Sequence, residues 1–319
     1  MRAYLNISYN AFMELVRQPF FLVLATLTMA FIAFLGSVYY FAFGQDESLA
    51  TNSALAMCLL SGLFASVFCA SSSVAQEISQ GTALTILSKP ISKLQFILGK
   101  FTGLTAAILV LSFFNLIATL VCSRISFESH GEPDTTVLMI FFGAIALAYL
   151  YGTFANYFLG QTFTGATTIA LTATIAVGFL IICGLPHGNH GEGFGSGVDW
   201  RLVPAVLLLT FALLILAALA LACTTRLEMI PTLGICGGFF MIGLMSDYLL
   251  GRPAADGSWL AAIGYSILPN WQIFWMADAL ENGKSIPLKY IFQSVEYLVG
   301  FLVICISGAL YLFEERELA

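Results

Sequence analysis

Charged side chains are scarce in this sequence, and their scarcity excludes most classes of soluble protein. Only 9% of the 319 residues are Asp, Glu, Lys or Arg, whereas 59% are hydrophobic. Soluble domains usually carry about 25% charged residues. The net charge is −6, so the chain also lacks the basic surface that binds nucleic acid. The composition therefore predicts an integral membrane protein.

A motif for nucleotide binding is absent from the sequence as well. The pattern G-x-x-x-x-G-K-[ST] does not occur. Leu94 and Asp278 stand where its first glycine would precede the Gly-Lys pairs at Gly99 and Gly283. Without this pattern there is no loop to hold nucleotide phosphates. We therefore expect that the chain is not an enzyme, has no catalytic residue and binds no cofactor.

The cysteines and histidines give little support for a metal site. All seven cysteines lie inside apolar runs without a C-x-x-C pair, and we interpret them as buried packing residues. His187, His190 and Glu192 share one loop, and two histidines three residues apart can chelate a metal ion. That loop is rich in glycine and lacks rigid supporting side chains. A flexible polar loop is the favoured interpretation, and no metal site is expected.

Long apolar runs dominate the sequence. A helix needs about 20 apolar residues to cross the hydrocarbon core of a bilayer. Eight runs reach this length: Phe20–Phe43, Ser53–Val74, Phe101–Ser123, Val137–Phe158, Thr164–Leu185, Leu202–Cys223, Ile230–Leu250 and Tyr290–Phe313. The first run is longer than the apolar part of a signal peptide, so we expect it to be retained. The predicted fold class is an all-α integral membrane protein with about eight transmembrane helices.

The distribution of basic residues indicates how the chain is oriented. With the N-terminus inside, the inner segments hold seven Lys and Arg residues and the outer segments hold five. The five basic residues that come first, from Arg2 to Lys100, all lie on the predicted inner side. Because the early spans usually dominate orientation, we expect both termini in the cytoplasm.

The segment before the first span has the pattern of an amphipathic helix. Polar side chains recur every three or four residues from Arg2 to Arg17, and Leu5, Tyr9, Phe12 and Val16 mark another face. Such a helix can lie in the membrane interface, and we predict an interfacial helix over residues 1–19. The alternative is a frayed cytoplasmic start to the first span.

A second irregular segment, residues 251–289, precedes the last span. It contains Pro269, Trp271 and Trp275, and Ser258 and Asn270 are suitable helix caps. Tryptophan is enriched at the membrane–water boundary. We therefore predict two short re-entrant helices that dip into the outer leaflet and pack against protein. The alternative is an ordinary surface loop.

Charge is almost absent from the predicted spans, which disfavours an ion-coupled carrier. Glu296, about two turns into the last span, is the clear exception. We interpret Glu296, Pro269 and Trp271 as candidate gating or structural residues. The Gly-x-x-x-Gly pairs at Gly99 and Gly234 predict close helix contacts.

Charge is instead concentrated in the segment Gln76–Lys100, between the second and third spans. A short helix over Thr82–Leu87 is predicted to end before Pro90, because proline disfavours helical geometry in the residue before it. Ser92 is predicted to cap the helix that follows. Glu77 is expected to brace the segment against Lys89, Lys93 or a partner's arginine. The alternative is a lysine-rich loop that only fixes topology.

The charged segment resembles the cytoplasmic loop of ABC-2 type transporter permeases. The resemblance lies in Glu77, the Gly-Thr pair at Gly81, the Lys-Pro-Ile-Ser-Lys run from Lys89, and Leu98-Gly-Lys100. The amphipathic N-terminal helix, the Leu-Pro-Asn before the last span and the tail Phe313–Leu318 also fit the family. Permeases of this family usually have six spans, so we expect an extra pair between Val137 and Cys223.

The resemblance implies one permease domain, 1–319, with an elbow helix (1–19), a cytoplasmic coupling loop (76–100) and an outer re-entrant segment (251–289). It implies separate ABC ATPase subunits, a second permease chain in a homo- or heterodimer, contact with membrane lipid, and export across a prokaryotic inner membrane. The residues implied to couple to the ATPase are Glu77, Gly81, Thr82, Leu84, Leu87, Lys89, Pro90, Lys93 and Lys100. The alternatives are a membrane scaffold or assembly factor without its own transport path and, less favoured, an ion-coupled carrier or channel.

Overall fold

The computed structural model describes residues 2–38, 46–75, 77, 92–127, 134–186 and 193–314. Within these ranges every regular element is a helix, and none of these residues lies in a strand. The predicted all-α fold class is therefore confirmed. The predicted helix Thr82–Leu87 and the loop with His187, His190 and Glu192 lie outside the described residues.

The described helices follow the predicted apolar runs. In chain order they are α1 (Arg2–Val16), α2 (Pro19–Ser37), α3 (Asp46–Ala70), α4 (Lys93–Phe127), α5 (Thr135–Leu159), α6 (Phe163–Gly184), α7 (Leu202–Thr224), α8 (Met229–Leu244), α9 (Arg252–Ala255), α10 (Trp259–Ile267), α11 (Ala277–Glu281) and α12 (Leu288–Glu314). A π-helical turn, Ser71–Ala75, extends α3, and another, Asp247–Gly251, precedes α9. A 3₁₀ turn occupies Trp271–Ile273.

Seven of the described helices are long and apolar enough to cross a membrane, namely α2, α3 with its π-helical turn, α4, α5, α6, α7 and α12. The eighth predicted span, Ile230–Leu250, is not one straight helix. Instead, α8 and the segment Asp247–Ala255 meet at a bend of 61°. A π-helical turn and Pro253 follow the break, and both are common causes of sharp kinks. The chain is therefore an all-α membrane protein, and its described part contains seven candidate spans, or eight if the bent pair counts as one.

Helix α7 forms the centre of the bundle. Its sequence is apolar on every side, and buried residues occupy nearly all of its turns. It packs against α3, α4, α8 and α12. A helix that is hydrophobic all round is stable only where protein or lipid surrounds it. In contrast, most of α12 faces outward, with 11% of its apolar window buried.

Helices α5 and α6 form a hairpin that packs mainly against itself. Asp134 caps α5, since its Oδ1 accepts hydrogen bonds from the backbone N of Thr136 and Val137 at 3.1 Å each. Gly160 ends α5 with a φ of 64°, a left-handed conformation that favours glycine. This peripheral hairpin lies in the region Val137–Cys223, where an extra pair of spans is expected.

A buried arginine ties the hairpin to the bundle. Arg124, in the last turn of α4, is 0% exposed. Its guanidinium donates to the backbone oxygens of Ile182 at 2.6 Å and Leu185 at 3.1 Å. These oxygens belong to the C-terminal end of α6, where unpaired carbonyls and the helix dipole favour a cation. The sequence predicts Arg124 only as a charge on the outer side, and its role as the partner of α6 follows from tertiary packing.

Helix α1 packs closely on the start of α4. A Cβ added at Gly103 would lie 2.6 Å from the Cβ of Ala11 and 2.8 Å from the backbone oxygen of Ser8. A Cβ added at Gly99 would lie 2.7 Å from Cγ2 of Ile7. Only glycine allows this approach, so the close contact predicted at this Gly-x-x-x-Gly pair is confirmed.

The second Gly-x-x-x-Gly pair, in α8, makes no such contact within the described chain. A Cβ added at Gly234 or Gly238 would meet no described atom within 4 Å. The prediction of close packing at Gly234 is therefore wrong for contacts within the described chain. The motif only permits a close approach, and whether a neighbouring helix supplies one depends on tertiary structure.

The face that α1 buries overlaps its predicted apolar face only in part, since Val16 is buried as predicted and Phe12 packs against the core. Ala11 and Leu15 are buried against the bundle, whereas Leu5 and Tyr9 are 62% and 63% exposed. Leu5 and Tyr9 therefore leave an apolar stripe that the described chain does not cover. Such a stripe is typical of a helix that lies in the membrane interface, and this placement stays a prediction.

The contact between α1 and α4 predicts a specific loss of stability in Gly103→Ala. The added methyl group would lie 2.8 Å from the backbone oxygen of Ser8. Because backbone atoms give way less easily than the end of a flexible side chain, we expect a loss of about 1–3 kcal/mol. Gly143→Ala in α5 is the matched control, because a Cβ there meets nothing within 4 Å. Thermal unfolding of the detergent-solubilised protein measures both. Equal unfolding temperatures would contradict the contact.

Candidate functional site

The charged segment is anchored at the end of the bundle where α4 begins. We call this end the charged end and define it by Glu14, Glu77, Lys93 and Lys100. Lys100 is 3% exposed, and its Nζ lies 2.7 Å from Oε1 of Glu77 and 3.9 Å from Oε2 of Glu14. Glu77 follows the π-helical turn of α3, and Glu14 belongs to α1. A single buried cation therefore joins α1, the end of α3 and α4.

The surroundings of Lys100 are largely apolar. Its Nζ lies 5.9 Å from the centroid of the Phe96 ring, which stacks on Phe313 of α12 with a centroid distance of 5.5 Å. A buried ammonium group is stable only when it is paired and hydrogen-bonded. Burial raises the pKa of the Glu14 carboxyl above its usual value, and the charge of Lys100 opposes that shift.

Two further cations at the charged end bind the end of α12. Nζ of Lys93 donates to the backbone oxygen of Glu314 at 3.4 Å, and Nε of Arg226 donates to that of Leu312 at 2.8 Å. Basic side chains stabilise the last carbonyl groups of a helix. Ser92 caps α4 as predicted, since its Oγ accepts a hydrogen bond from the backbone N of Gln95 at 3.2 Å.

The structure brings together part of the residue set implied for ATPase coupling. Glu77 and Lys100 form an ion pair, whereas Lys93 contacts the end of α12. Glu77 was expected to meet Lys89, Lys93 or a partner's arginine, and the structure gives it an ion pair with Lys100. A contact with Lys89, which lies outside the described residues, stays a prediction. The remaining members of the set lie outside the described residues: Gly81, Thr82, Leu84, Leu87, Lys89 and Pro90.

Glu14 is a member of the charged end that the sequence does not single out. Its spacing with Asn10 and Arg17 assigns it only to the polar face of α1. The available signal is the glycine pair at Gly99 and Gly103, which predicts a neighbouring helix without identifying it. Since α1 is that neighbour, Glu14 is placed beside Lys100.

The distance along α4 between its two buried charges is similar to the thickness of the hydrocarbon core of a bilayer. Lys100 and Arg124 are 24 positions apart in the sequence, or about 36 Å along a helix that rises about 1.5 Å per residue. The hydrocarbon core is about 30 Å thick. A helix that crosses the bilayer with this spacing can place both charges near the membrane surfaces, one at the charged end and one at the opposite end of the bundle.

At the opposite end, a polar network fixes the segment that follows α8. We call it the Asp247 network, formed by Asp247, Tyr265, Asn270 and Tyr297. Oδ1 of Asp247 accepts hydrogen bonds from the Tyr265 hydroxyl at 2.6 Å and from Nδ2 of Asn270 at 2.9 Å. The Tyr297 hydroxyl accepts from the backbone N of Asn270 at 2.8 Å. The hydrogen bond to Asp247 raises the pKa of Tyr265, so the hydroxyl stays protonated and donates.

Pro269 and Trp271 pack this segment against the bend of α8. Both are buried, and Nε1 of Trp271 donates to the backbone oxygen of Phe239 at 3.4 Å. Gly243 faces Trp271 and the Pro269 carbonyl so closely that a Cβ there has no room. The two residues therefore hold the bent helix in place, and a gating role for them stays a prediction.

The predicted caps in this region are confirmed. Oγ of Ser258 accepts a hydrogen bond from the backbone N of Ala261, and Oδ1 of Asn270 accepts one from that of Gln272. They begin α10 and the 3₁₀ turn Trp271–Ile273. The segment 251–289 contains α9, α10, the 3₁₀ turn and α11, so it has more short helical pieces than the two predicted. Their insertion into the outer leaflet stays a prediction.

Glu296 lies apart from the Asp247 network. It is exposed on the outward face of α12, about 12 Å from the start of that helix at a rise of about 1.5 Å per residue. Its neighbour Tyr297 contacts Asn270, whereas Glu296 forms no hydrogen bond or ion pair with a described residue. An exposed carboxylate on an apolar helix points to contact with an interface or a partner.

No model of a known protein family matches this chain, and no curated protein matches it either. The assignment of function therefore depends on the geometry of the charged end and on the sequence resemblance of the segment attached to it. The resemblance itself stays a prediction.

The ion pair at the charged end predicts that Lys100→Met destabilises the protein strongly. The substitution removes a 2.7 Å ion pair between two largely buried side chains, which costs about 3 kcal/mol. The double variant with Glu77→Gln is expected to recover part of this loss. Denaturant unfolding in detergent measures both, with exposed Lys289→Met as the control. If the Lys100 and Lys289 variants unfold alike, the buried pair is not stabilising.

The Asp247 network predicts a local effect of Asn270→Ala. Loss of the hydrogen bond to the Asp247 carboxylate frees the segment, and we expect hydrogen exchange of residues 259–275 to accelerate about tenfold. Exchange in α4 serves as the internal reference. Asn282→Ala, which removes only a local bond to the Asp278 oxygen, is the control variant. Uniform acceleration across the chain would argue against a separate network.

Proposed function

We propose that this chain is the membrane-spanning permease subunit of an ATP-driven transporter of the ABC-2 type. The observation that carries the proposal is the 2.7 Å ion pair between Glu77 and Lys100. Glu77 precedes the segment 78–91 and Lys100 follows it, so the pair closes the base of that segment. A force applied there is passed to α3, α4 and, through Glu14, to α1.

In this proposal the segment 76–100 faces the cytoplasm and receives the motion of separate ABC ATPase subunits. Leu84 and Leu87 would enter an apolar groove of the ATPase, and Lys89 and Lys93 would pair with its acids or with anionic lipid. ATP-driven closure would tilt rigid helices between inward and outward access. Both termini would lie in the cytoplasm of a prokaryotic cell, in the inner membrane.

The resemblance further supports a dimer of permease chains, identical or related, that exports its substrate. A scaffold or assembly factor without a transport path is the second candidate. An ion-coupled carrier is less favoured. The buried charges of the described spans, Lys100 and Arg124, lie near the membrane surfaces, whereas coupling residues lie deep in the membrane.

The proposal predicts that coupling depends on the lysines of the charged segment. The chain is co-expressed with candidate ATPase subunits, and the complex is placed in lipid nanodiscs. The double variant Lys89→Gln and Lys93→Gln is expected to lower ATP turnover about tenfold, because it removes charge pairs at the contact. The matched control is Lys284→Gln with Lys289→Gln, at exposed positions of the opposite end.

The outcomes separate the candidate functions. If no ATPase is retained by the chain, the proposal is wrong. A retained ATPase without any movement of substrate favours the scaffold. Flux that is driven by a proton or sodium gradient without ATP favours the carrier.

A further inference from the structure

A groove of about 780 Å³ lies between α1 and α6. Phe12, Met13 and Val16 of α1 form one wall, and small residues of α6 form the floor. The small residues of the floor are Gly165, Ala166, Thr168, Thr172, Ala173 and Ala176, and the larger Ile169 of α6 and Val110 of α4 also line the groove. The two helices touch at the end of α1, where Oγ1 of Thr168 donates to the Val16 oxygen at 3.3 Å. Because the other floor side chains are short, a channel remains beside this contact.

One end of the groove is polar and positively charged. Arg17, Gln161 and Thr162 line it at the point where α6 begins. The side chain of Arg17 lies along α6, since a Cβ added at Gly165 would be 3.3 Å from Cγ of Arg17. The backbone there is fixed, because Oγ1 of Thr164 donates to the Arg17 oxygen at 2.6 Å. The guanidinium is exposed and makes no ion pair with a described residue.

The rest of the groove is mostly apolar and is long enough to extend through one leaflet. Its floor runs from Thr162 to Ala176, about 21 Å at a rise of about 1.5 Å per residue. Half of a hydrocarbon core is about 15 Å thick. The groove thus combines a cationic end near the membrane surface with an apolar channel that extends through one leaflet.

We propose that this groove binds an anionic phospholipid of the surrounding bilayer. One acyl chain lies along the floor of α6, against Phe12 and Val16, and the phosphate group pairs with Arg17. A neutral apolar ligand would leave the Arg17 guanidinium unpaired. A helix from a second copy of this chain is the alternative occupant, and the test below distinguishes it from lipid. The lipid proposal requires only that the chain is inserted in a membrane. Its test therefore does not depend on whether the chain takes part in ATP-driven transport.

The test is native mass spectrometry of the purified full chain in a mild detergent. Phosphatidylglycerol and phosphatidylcholine with identical acyl chains are titrated separately, and bound lipid is counted for each. We expect saturable binding of phosphatidylglycerol in preference to phosphatidylcholine. Arg17→Gln should weaken that binding about fivefold, since one basic residue near anionic headgroups has about this effect. Arg17→Lys should retain most of it.

Two further variants separate the groove from the rest of the surface. Ala176→Phe fills the apolar channel and should reduce binding of phosphatidylglycerol although the charge is unchanged. Arg252→Gln is the matched control, because this exposed arginine is not part of the groove. Thermal unfolding of each variant in the same detergent verifies that it is folded.

Three results would overturn the proposal. Equal losses in Arg17→Gln and Arg252→Gln would show that the preference reflects overall charge. Unchanged binding in folded Ala176→Phe would place the lipid elsewhere. A dimer that dissociates in Ala176→Phe without loss of lipid would assign the groove to a second copy of the chain.

Discussion

The organisation of the bundle depends on how α4 satisfies a buried charge near each of its ends. Neither charge is stable in an apolar environment without a partner. Lys100 meets this requirement with Glu77 and Glu14, and Arg124 meets it with the C-terminal carbonyls of α6. Lys100 therefore connects α1 and the end of α3 to one end of α4. Arg124 connects the hairpin of α5 and α6 to the other end.

Small residues decide how closely the remaining helices approach. Glycines at the start of α4 let α1 pack against it along the backbone. On α6, small side chains face α1 without such close contact, and a groove remains. The same residue types therefore produce a tight joint on one side of α1 and an open channel on the other. The difference lies in the position of each helix, which Lys100 and Arg124 help to set.

Most of the fold and only part of the candidate site are predictable from the sequence. Seven apolar runs correspond to long helices, and Ser92, Ser258 and Asn270 are caps as expected. The eighth run differs, because its length and composition fit a straight span whereas the structure contains a bend of 61°. Asp247 and Asn270 are far apart in the sequence, so their contact gives no local signal of the bend.

The sequence by itself determined the membrane class and the helical state of the chain. Apolar runs of about 20 residues are stable only where each backbone group bonds within its own helix and the side chains face lipid or protein. Caps follow from the same local chemistry. Only the tertiary structure decided the buried face of α1, the partners of Lys100 and Arg124, the bend of α8 and the groove along α6. Each of these depends on which helices become neighbours, and apolar side chains of similar size specify that choice only through packing of the whole bundle.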